Sequence, residues 1–298
     1  DNKMIASQIL NMPNDFELIF FGDNHEGNIA SSRDNFMACV DYICSGKNRY
    51  GIHMGDACDA FWIDDWRYDS FTVKATPIEQ RKTIVRLLTP MVKARRLITI
   101  LKGNHEHALE RKVGRFSEEL CDMLRQTNSR LERNDWPLYG SFIHKLEFYS
   151  KTGSVMFKVW TTHGKLSITS VSPDPHRKRA YMQMRLKRIL ENKVGDCIAM
   201  VRGHNHLLLV TPPLPQLYLT TENGKIKQHY THSFKEKVKA SEYIPPEYRW
   251  YGCSGSFLRS QIIGEDTYPE LAEYDPVELG YLRGIVSNRQ FIRLEEVK

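Results

Sequence analysis

No apolar run in this chain approaches the roughly 20 residues that a helix needs to cross a bilayer, and the first residues lack the pattern of a secretory signal. There is no internal repeat and no low-complexity linker. Six cysteines are present, Cys39, Cys44, Cys58, Cys121, Cys197 and Cys253, but no two of them share Cys-x-x-Cys spacing. They read as reduced core thiols rather than a disulfide framework. These absences argue against a membrane-spanning chain, a disulfide-stapled module and a repeat array. Asp1 stands where a methionine would begin a chain, which fits a trimmed or processed terminus, and cytoplasm is the default expectation.

The 298 residues with 41% hydrophobic content are ample for a large core and form one or two domains; the expectation is a single domain over 1–298. A net charge of +6 and a pI near 8.9 favour anionic partners without naming one.

Four short clusters of metal-binding side chains punctuate the chain: Gly22-Asp23-Asn24-His25, Gly55-Asp56-Ala57-Cys58-Asp59, Gly103-Asn104-His105-Glu106 and Gly203-His204-Asn205-His206. Thr162-His163-Gly164 lies between the last two. Each cluster follows a stretch that reads as a buried strand: Phe16 to Phe21, Tyr50 to Met54, Leu97 to Leu101, Val155 to Thr161, and Ile198 to Val201. An open α/β sheet forms its sites in the crevice at the carboxyl ends of its strands, so the five elements can converge. Asp23 and His25, like His204 and His206, stand two residues apart, which places each pair on one side of an extended chain. The preceding glycines let the backbone turn and approach an ion without a clashing Cβ.

The residue types suit a two-metal hydrolytic site. Two divalent ions about 3.5–4 Å apart can clamp the attacking and leaving oxygens of an in-line phosphoryl displacement and turn bound water into hydroxide. Such a pair needs one shared carboxylate, with neutral nitrogen and amide ligands to preserve Lewis acidity. Imidazole, carboxylate and amide oxygen together suit manganese, iron, zinc, nickel or cobalt better than calcium, with manganese first. Cys58 sits inside the second cluster, where a structural role in the turn is favoured over ligation.

The order Asp-x-His, Gly-Asp-x-x-Asp, Gly-Asn-His-Glu, His-Gly, Gly-His-x-His over residues 22–206 resembles the calcineurin-like metallophosphoesterases. That resemblance implies a four-layer αββα sandwich of two mixed β-sheets flanked by helices, with a dinuclear site at strand ends. It also implies a roster of ligands. Asp23, His25 and His206 would hold one metal, Asn104, His163 and His204 the other, and Asp56 would bridge them. His105 would be the non-ligand that contacts the phosphate or protonates the leaving oxygen, with Asp59 orienting it. Pro77-Ile78-Glu79-Gln80 and Gly255-Ser256-Phe257-Leu258 resemble a bacterial and phage-type branch of the family. One departure matters. Protein phosphatases of this family carry arginine after the second aspartate of the Gly-Asp motif, whereas here Ala60-Phe61 follows Asp59.

The leading expectation is therefore a phosphodiesterase in which a metal-bound hydroxide attacks phosphorus, with nucleotides or nucleic acid among its phosphate-ester substrates. The alternatives are a phosphomonoesterase or protein phosphatase with the same metals, and a non-catalytic scaffold, against which the retention of every ligand and of His105 argues. No membrane partner is expected, and the pattern specifies no oligomeric state.

Periodicity supplies the rest. Ile29, Phe36, Val40 and Ile43 keep helical spacing; a second helix starts at Thr76 with Pro77 at N1 and Glu79 at N3, a capping box, and Pro90 should end or kink it. Phe116, Leu120 and Leu124 suggest another helix, and strands follow near Ser141 to Tyr149 and Val155 to Thr162. Leu207 to Thr211, Gln216 to Thr221, Lys225 to His232, Tyr281 to Val286 and Gln290 to Leu294 read as later strands, and 207–250 as a β-rich elaboration near the active site.

His53, His144 and His176 read as surface or hydrogen-bonded structural residues, and His107 as a solvated helix-start residue. The loop Phe61 to Tyr68 mixes aromatics with charge, so bases could stack there or the rings could cover a core. His176 to Arg188 reads as an amphipathic helix with a solvated basic face.

Overall fold

The computed structural model describes residues 5–132, 135–231, 242–262, 264 and 275–298. The chain opens with strands β1 (Ile5–Met12) and β2 (Phe16–Phe21), helix α1 (Arg33–Ser45), β3 (Arg49–His53), α2 (Pro77–Lys93) and β4 (Leu97–Leu101). Helices α3 (Asn104–Val113) and α4 (Phe116–Gln126) lead to β5 (Leu138–Gly140), β6 (Ile143–Ser150) and β7 (Val155–Thr162). Then come α5 (Pro175–Leu190), β8 (Ala199–Arg202), β9 (Leu208–Thr211), β10 (Leu217–Glu222) and β11 (Lys225–Tyr230). The last strands are β12 (Trp250–Ser254), β13 (Tyr281–Ser287) and β14 (Gln290–Val297).

Two six-stranded mixed sheets organise these elements. One has the order β14-β13-β2-β3-β4-β5, with β2 to β5 parallel, and the other β1-β6-β7-β8-β12-β9. Within the second sheet β7, β8 and β12 run parallel, and β6 and β9 run against them. This is an α/β protein whose layers are compatible with a sandwich. Between the sheets lies a core of Leu18, Phe20, Ile52 and Ile98 from one and Ile9, Phe148, Val159 and Val201 from the other. Strand residues of opposite parity face the helices. Ile19 and Ile100 meet Phe36, Ile84, Leu88 and Leu120 of α1, α2 and α4, while Trp160 and Met200 meet Leu186 and Leu190 of α5.

The helix signals hold in detail. Thr76 caps α2, its hydroxyl accepting from Glu79 N–H while the Glu79 carboxylate accepts from Thr76 N–H. Pro90 does not end α2, which runs on to Lys93. An exposed proline in the last turn forgoes only one backbone bond, a small loss beside the burial of Met91 and Val92, which directly follow it. In α5, Arg177, Arg179, Arg185 and Arg188 are exposed, and only Leu186 and Leu190 are buried. No helix among the described residues is long and apolar enough to cross a membrane.

The expected later strands form, with β10 and β11 pairing as a separate hairpin; His232 lies outside the described residues. Leu208 of β9 pairs with Ser254 and Thr211 with Tyr251, so the chain leaves β9 towards this hairpin at the end of the strand remote from His206.

One polar contact spans the interior. His144 of β6 sits between Thr99 Oγ1 of the opposite sheet and Ser7 Oγ of β1, each 2.9 Å from a ring nitrogen. Since Thr99 Oγ1 donates to the Leu138 carbonyl, it must accept from His144 Nδ1–H, which leaves Nε2 to accept from Ser7. Burial pushes the His144 pKa from 6.5 down to about 4. With the folded value below the unfolded one, the stabilisation is complete above pH 6.5 and is lost as pH falls towards 4, where only the unfolded chain takes up the proton. That interval corresponds to at most about 3 kcal/mol. In urea unfolding from pH 6.5 to 4.5, the wild type should lose stability more steeply than a His144→Gln variant. Equal slopes would remove His144 as the source.

Candidate metal centre

All five ligand-bearing loops lie at the carboxyl ends of strands. Asp23, Asp56 and Asn104 follow β2, β3 and β4 of one sheet; His163 and His204 follow β7 and β8 of the other. Their ligand atoms converge. Asp23, His25 and His206 form one group with oxygen and ring-nitrogen atoms within 4.8 Å of one another, and Asp56, His163 and His204 form a second. Asn104 Oδ1 joins the second group, 2.9 Å from His163 Nε2. Asp56 stands between the groups, its Oδ2 lying 3.1 Å from His163 Nε2 and 3.8 Å from His25 Nε2. A third group, His25, Asp56 and His105, meets the same distance condition but shares two members with the others.

The convergence does not come from extended backbone. Asp23, His25, Asp56, His204 and His206 all have positive φ, between 45° and 74°. Non-glycine residues seldom adopt this left-handed region, and such conformations gather at functional sites where the surroundings over-determine them. Each loop thus curls back on itself, and the spacing of two residues brings the side chains together by a turn rather than by a pleat. Of the preceding glycines only Gly55 turns with positive φ, at 98°. Gly103 serves close approach instead. A Cβ there would lie 1.9 Å from Asp56 Oδ1 and 2.2 Å from Asp56 N.

Outer hydrogen bonds orient the rings. His163 Nδ1 donates to the Met54 carbonyl at 2.8 Å, and His25 Nδ1 faces Asp59 Oδ1 at 3.3 Å, so both present Nε2 to the cluster. This is the pattern by which an outer carbonyl or carboxylate fixes the tautomer of a metal-ligating histidine. Asp59 was expected to orient His105 with its carboxylate. Its carboxylate instead sits 3.6 Å from His105 Nδ1 and closer to His25, while its main-chain carbonyl accepts from His105 Nδ1 at 2.8 Å. His105 therefore directs Nε2 outward. Asp23, His25, Asp56 and His163 are buried, whereas the side chains of His105 and His206 keep 15% and 24% exposure and mark the solvent side.

The loops are braced by residues whose part was not visible in the motifs. Glu106, buried in the first turn of α3, accepts from Cys58 N–H and Gly103 N–H, tying the second cluster to the third. Asn24 donates to the Ala57 carbonyl and accepts from His53, which receives Gly55 N–H on its other nitrogen. His53 and His144 are thus structural, as expected, and His176 is exposed. His107 lies in the first turn of α3 with its ring edge-on to Phe142. Ser256 donates to the Asp23 carbonyl at 2.8 Å, giving Gly255-Ser256-Phe257 a place beside the first cluster. Cys58 is a buried free thiol whose pKa burial pushes well up, consistent with a turn residue.

The electrostatics reflect carboxylates and imidazoles packed away from water. Burial raises Asp23 to about 7 against the pull of His163. Burial opposes ionisation of Asp56 too, yet His163, His105 and His25 hold its pKa well below the usual range. For His25, burial lowers the pKa but Asp59, Asp56 and Asp23 outweigh it, giving about 9; for His163, Asp56 likewise outweighs burial, giving about 10. Burial and the charge of His163 push His204 down to about 4.

Compared with models of protein families the chain matches none, and compared with curated proteins it matches none.

The donor set, nitrogen and oxygen from buried and half-buried histidines, aspartates and an asparagine, could hold a metal ion. The neighbouring carboxylates raise the pKa of His25 and His163 and so favour the protonated rings, whereas a metal requires the neutral ring. Manganese titration at pH 7 should therefore release protons, and affinity should rise between pH 7 and 9. Calorimetry in buffers of different ionisation enthalpy measures the release; zero release would contradict binding by these rings.

Proposed function

We propose that this protein is a dinuclear-metal-dependent phosphodiesterase of the calcineurin-like metallophosphoesterase type, acting on nucleotide or nucleic-acid diesters. The observation that carries the reading is the shared position of Asp56, with one carboxylate oxygen facing a histidine from each group. The two-sheet architecture with helices on the outer faces supports the family's αββα frame.

In this reading Asp23, His25 and His206 would hold one ion, Asn104, His163 and His204 the other, and Asp56 would contribute to both. Manganese is the first choice, with iron, zinc, nickel or cobalt compatible with the same donors. Two such ions supply Lewis acidity at phosphorus and an activated water. His105, with Nδ1 donating to the Asp59 carbonyl, turns Nε2 outward as the free position; to act as general acid it must first take up a second proton there, against the lowering of its pKa by burial. Asp59 holds the His25 ring through its carboxylate, and Asn28 donates to its other oxygen at 3.1 Å. The N-terminus of α3 directs the His105 N–H at Asp56 and adds a dipole suited to an anionic group nearby.

Basic side chains next to the motifs favour a diester over a monoester dianion. Arg202 is 1% exposed and donates through Nη2 to the Leu166 carbonyl; Lys102 is paired with Glu110 at 2.9 Å. Lys102 is held by that ion pair, and Arg202, although its Nε and Nη1 have no hydrogen-bond partner, is buried.

Chelator-stripped, manganese-reloaded protein should cleave an aryl phosphodiester faster than the matched monoester. Faster cleavage of the monoester would place the phosphatase reading first, and no cleavage of either with two metals bound would favour a scaffold. His105→Ala should keep its metals while kcat falls roughly 10²–10⁴-fold, whereas Asp56→Ala should lose both metal and activity. Loss of metal in His105→Ala, read by elemental analysis, would make His105 a ligand.

A further inference from the structure

The segment after Asp59 does not fold over the core. Trp62, Ile63, Trp66 and Phe71 are exposed by 39%, 74%, 82% and 76%, a concentration of large apolar side chains that a surface rarely carries without a binding role. The segment is nonetheless held at both ends. Ala60 N–H donates to Gln80 Oε1 at 2.8 Å, Ile29 N–H to the Thr72 carbonyl at 2.8 Å, and Lys74 N–H to the Gly27 carbonyl at 2.9 Å.

Planar groups run outward from the metal cluster along this segment without a break. The His25 and His105 rings meet edge to face at 4.5 Å, and His105 lies against Phe61 at 4.8 Å with only 36° between their planes. The Arg67 guanidinium covers Phe61 at 4.4 Å and comes within 5.9 Å of the Trp66 ring. Arg67 cannot swing away easily, because Asp65 accepts its Nε at 3.0 Å and its Nη2 at 2.9 Å in a fork. The series ends in the open at Trp66.

We propose that this series is a stacking platform for the bases of a single-stranded nucleic acid whose phosphodiester lies at the cluster. The proposal rests on the phosphodiesterase reading for the position of the phosphate. A ligand that reaches both ends must carry an anionic phosphate and planar apolar rings a short distance from it, which is the composition of a polynucleotide. The chain's net charge of +6 is of the sign such a polyanion requires. Single strands fit better than duplexes, because paired bases already stack on one another and have no free face for Trp66.

The test is binding to the manganese-loaded protein by short phosphorothioate oligothymidylate and oligouridylate, by an abasic strand of equal length, and by a duplex. Aromatic stacking contributes about 1–3 kcal/mol per base, so the base-bearing strands should bind about 5–150-fold more tightly than the abasic strand, with quenching of tryptophan fluorescence. A difference between thymidylate and uridylate would assign the platform to DNA or RNA. Trp66→Ala, at an exposed position where packing loss is small, should shrink the base-dependent gain to less than about threefold. Equal affinity for base-bearing and abasic strands would overturn the proposal and leave the exposed rings to a protein partner. Equal binding of the duplex, or a base-dependent gain that survives Trp66→Ala, would overturn it as well. Because the assay needs no turnover, base-dependent binding by a protein that cleaves no aryl diester would defeat the phosphodiesterase reading alone.

Discussion

Two carboxylates buried at one end of a two-sheet core set the terms for this structure. Asp23 and Asp56 are both at most 1% exposed, and an ionised carboxylate is costly to remove from water unless charge and hydrogen bonds replace its hydration. The chain meets that requirement by aiming His25, His163, His206 and two main-chain N–H donors at the pair. His204 N–H reaches both oxygens of Asp23 at 3.1 Å, and His105 N–H reaches Asp56. The same carboxylates raise the pKa of His25 and of His163 and so favour their protonated, charge-balancing forms. The same arrangement that makes the carboxylates tolerable makes the cluster ready to exchange protons for metal.

The left-handed backbone at five cluster residues follows from the same requirement. Ligands two residues apart on a pleated strand would place their functional atoms along a line, whereas a curled loop can gather them around a point. Such conformations cost of order 1–3 kcal/mol each, and the bracing by Glu106, Asn24, His53 and Ser256 offsets that cost. These four residues bind no substrate in the proposed mechanism. They hold loops in place that would otherwise relax towards ordinary φ.

Much of this was legible in the residues themselves. The strands β2, β3, β4, β7 and β8 announce themselves as apolar runs ending in glycine or a polar ligand, and the capping box at Thr76 marks α2 to the residue. Strand β12 was not legible, because Trp-Tyr-Gly-Cys-Ser is short and contains glycine; its pairing comes from β8 and β9 on either side. Edge strand β1, Ile5–Met12, has only a weak alternation and relies on β6 for its pairing. Helix α3 hid behind its own chemistry, since Gly103-Asn104-His105-Glu106 reads first as ligands and only then as a helix start. The position of Asp59 relative to His25 and His105 depends on the turn at Ala60, whose φ of 54° no motif spacing reveals.

The cluster draws three of its loops from one sheet and two from the other, and neither sheet alone carries the whole of the Asp23 group or of the Asp56, His163 and His204 group. Its dimensions are therefore a caliper reading of the gap between the sheets, filled by Phe16, Phe148 and Phe157 at the far end and spanned by His144 nearer the middle. A methylene added or lost in that filling, tolerable to the fold as a whole, tilts one jaw against the other, so the repertoire of core sequences open to this chain is narrower than stability alone would demand.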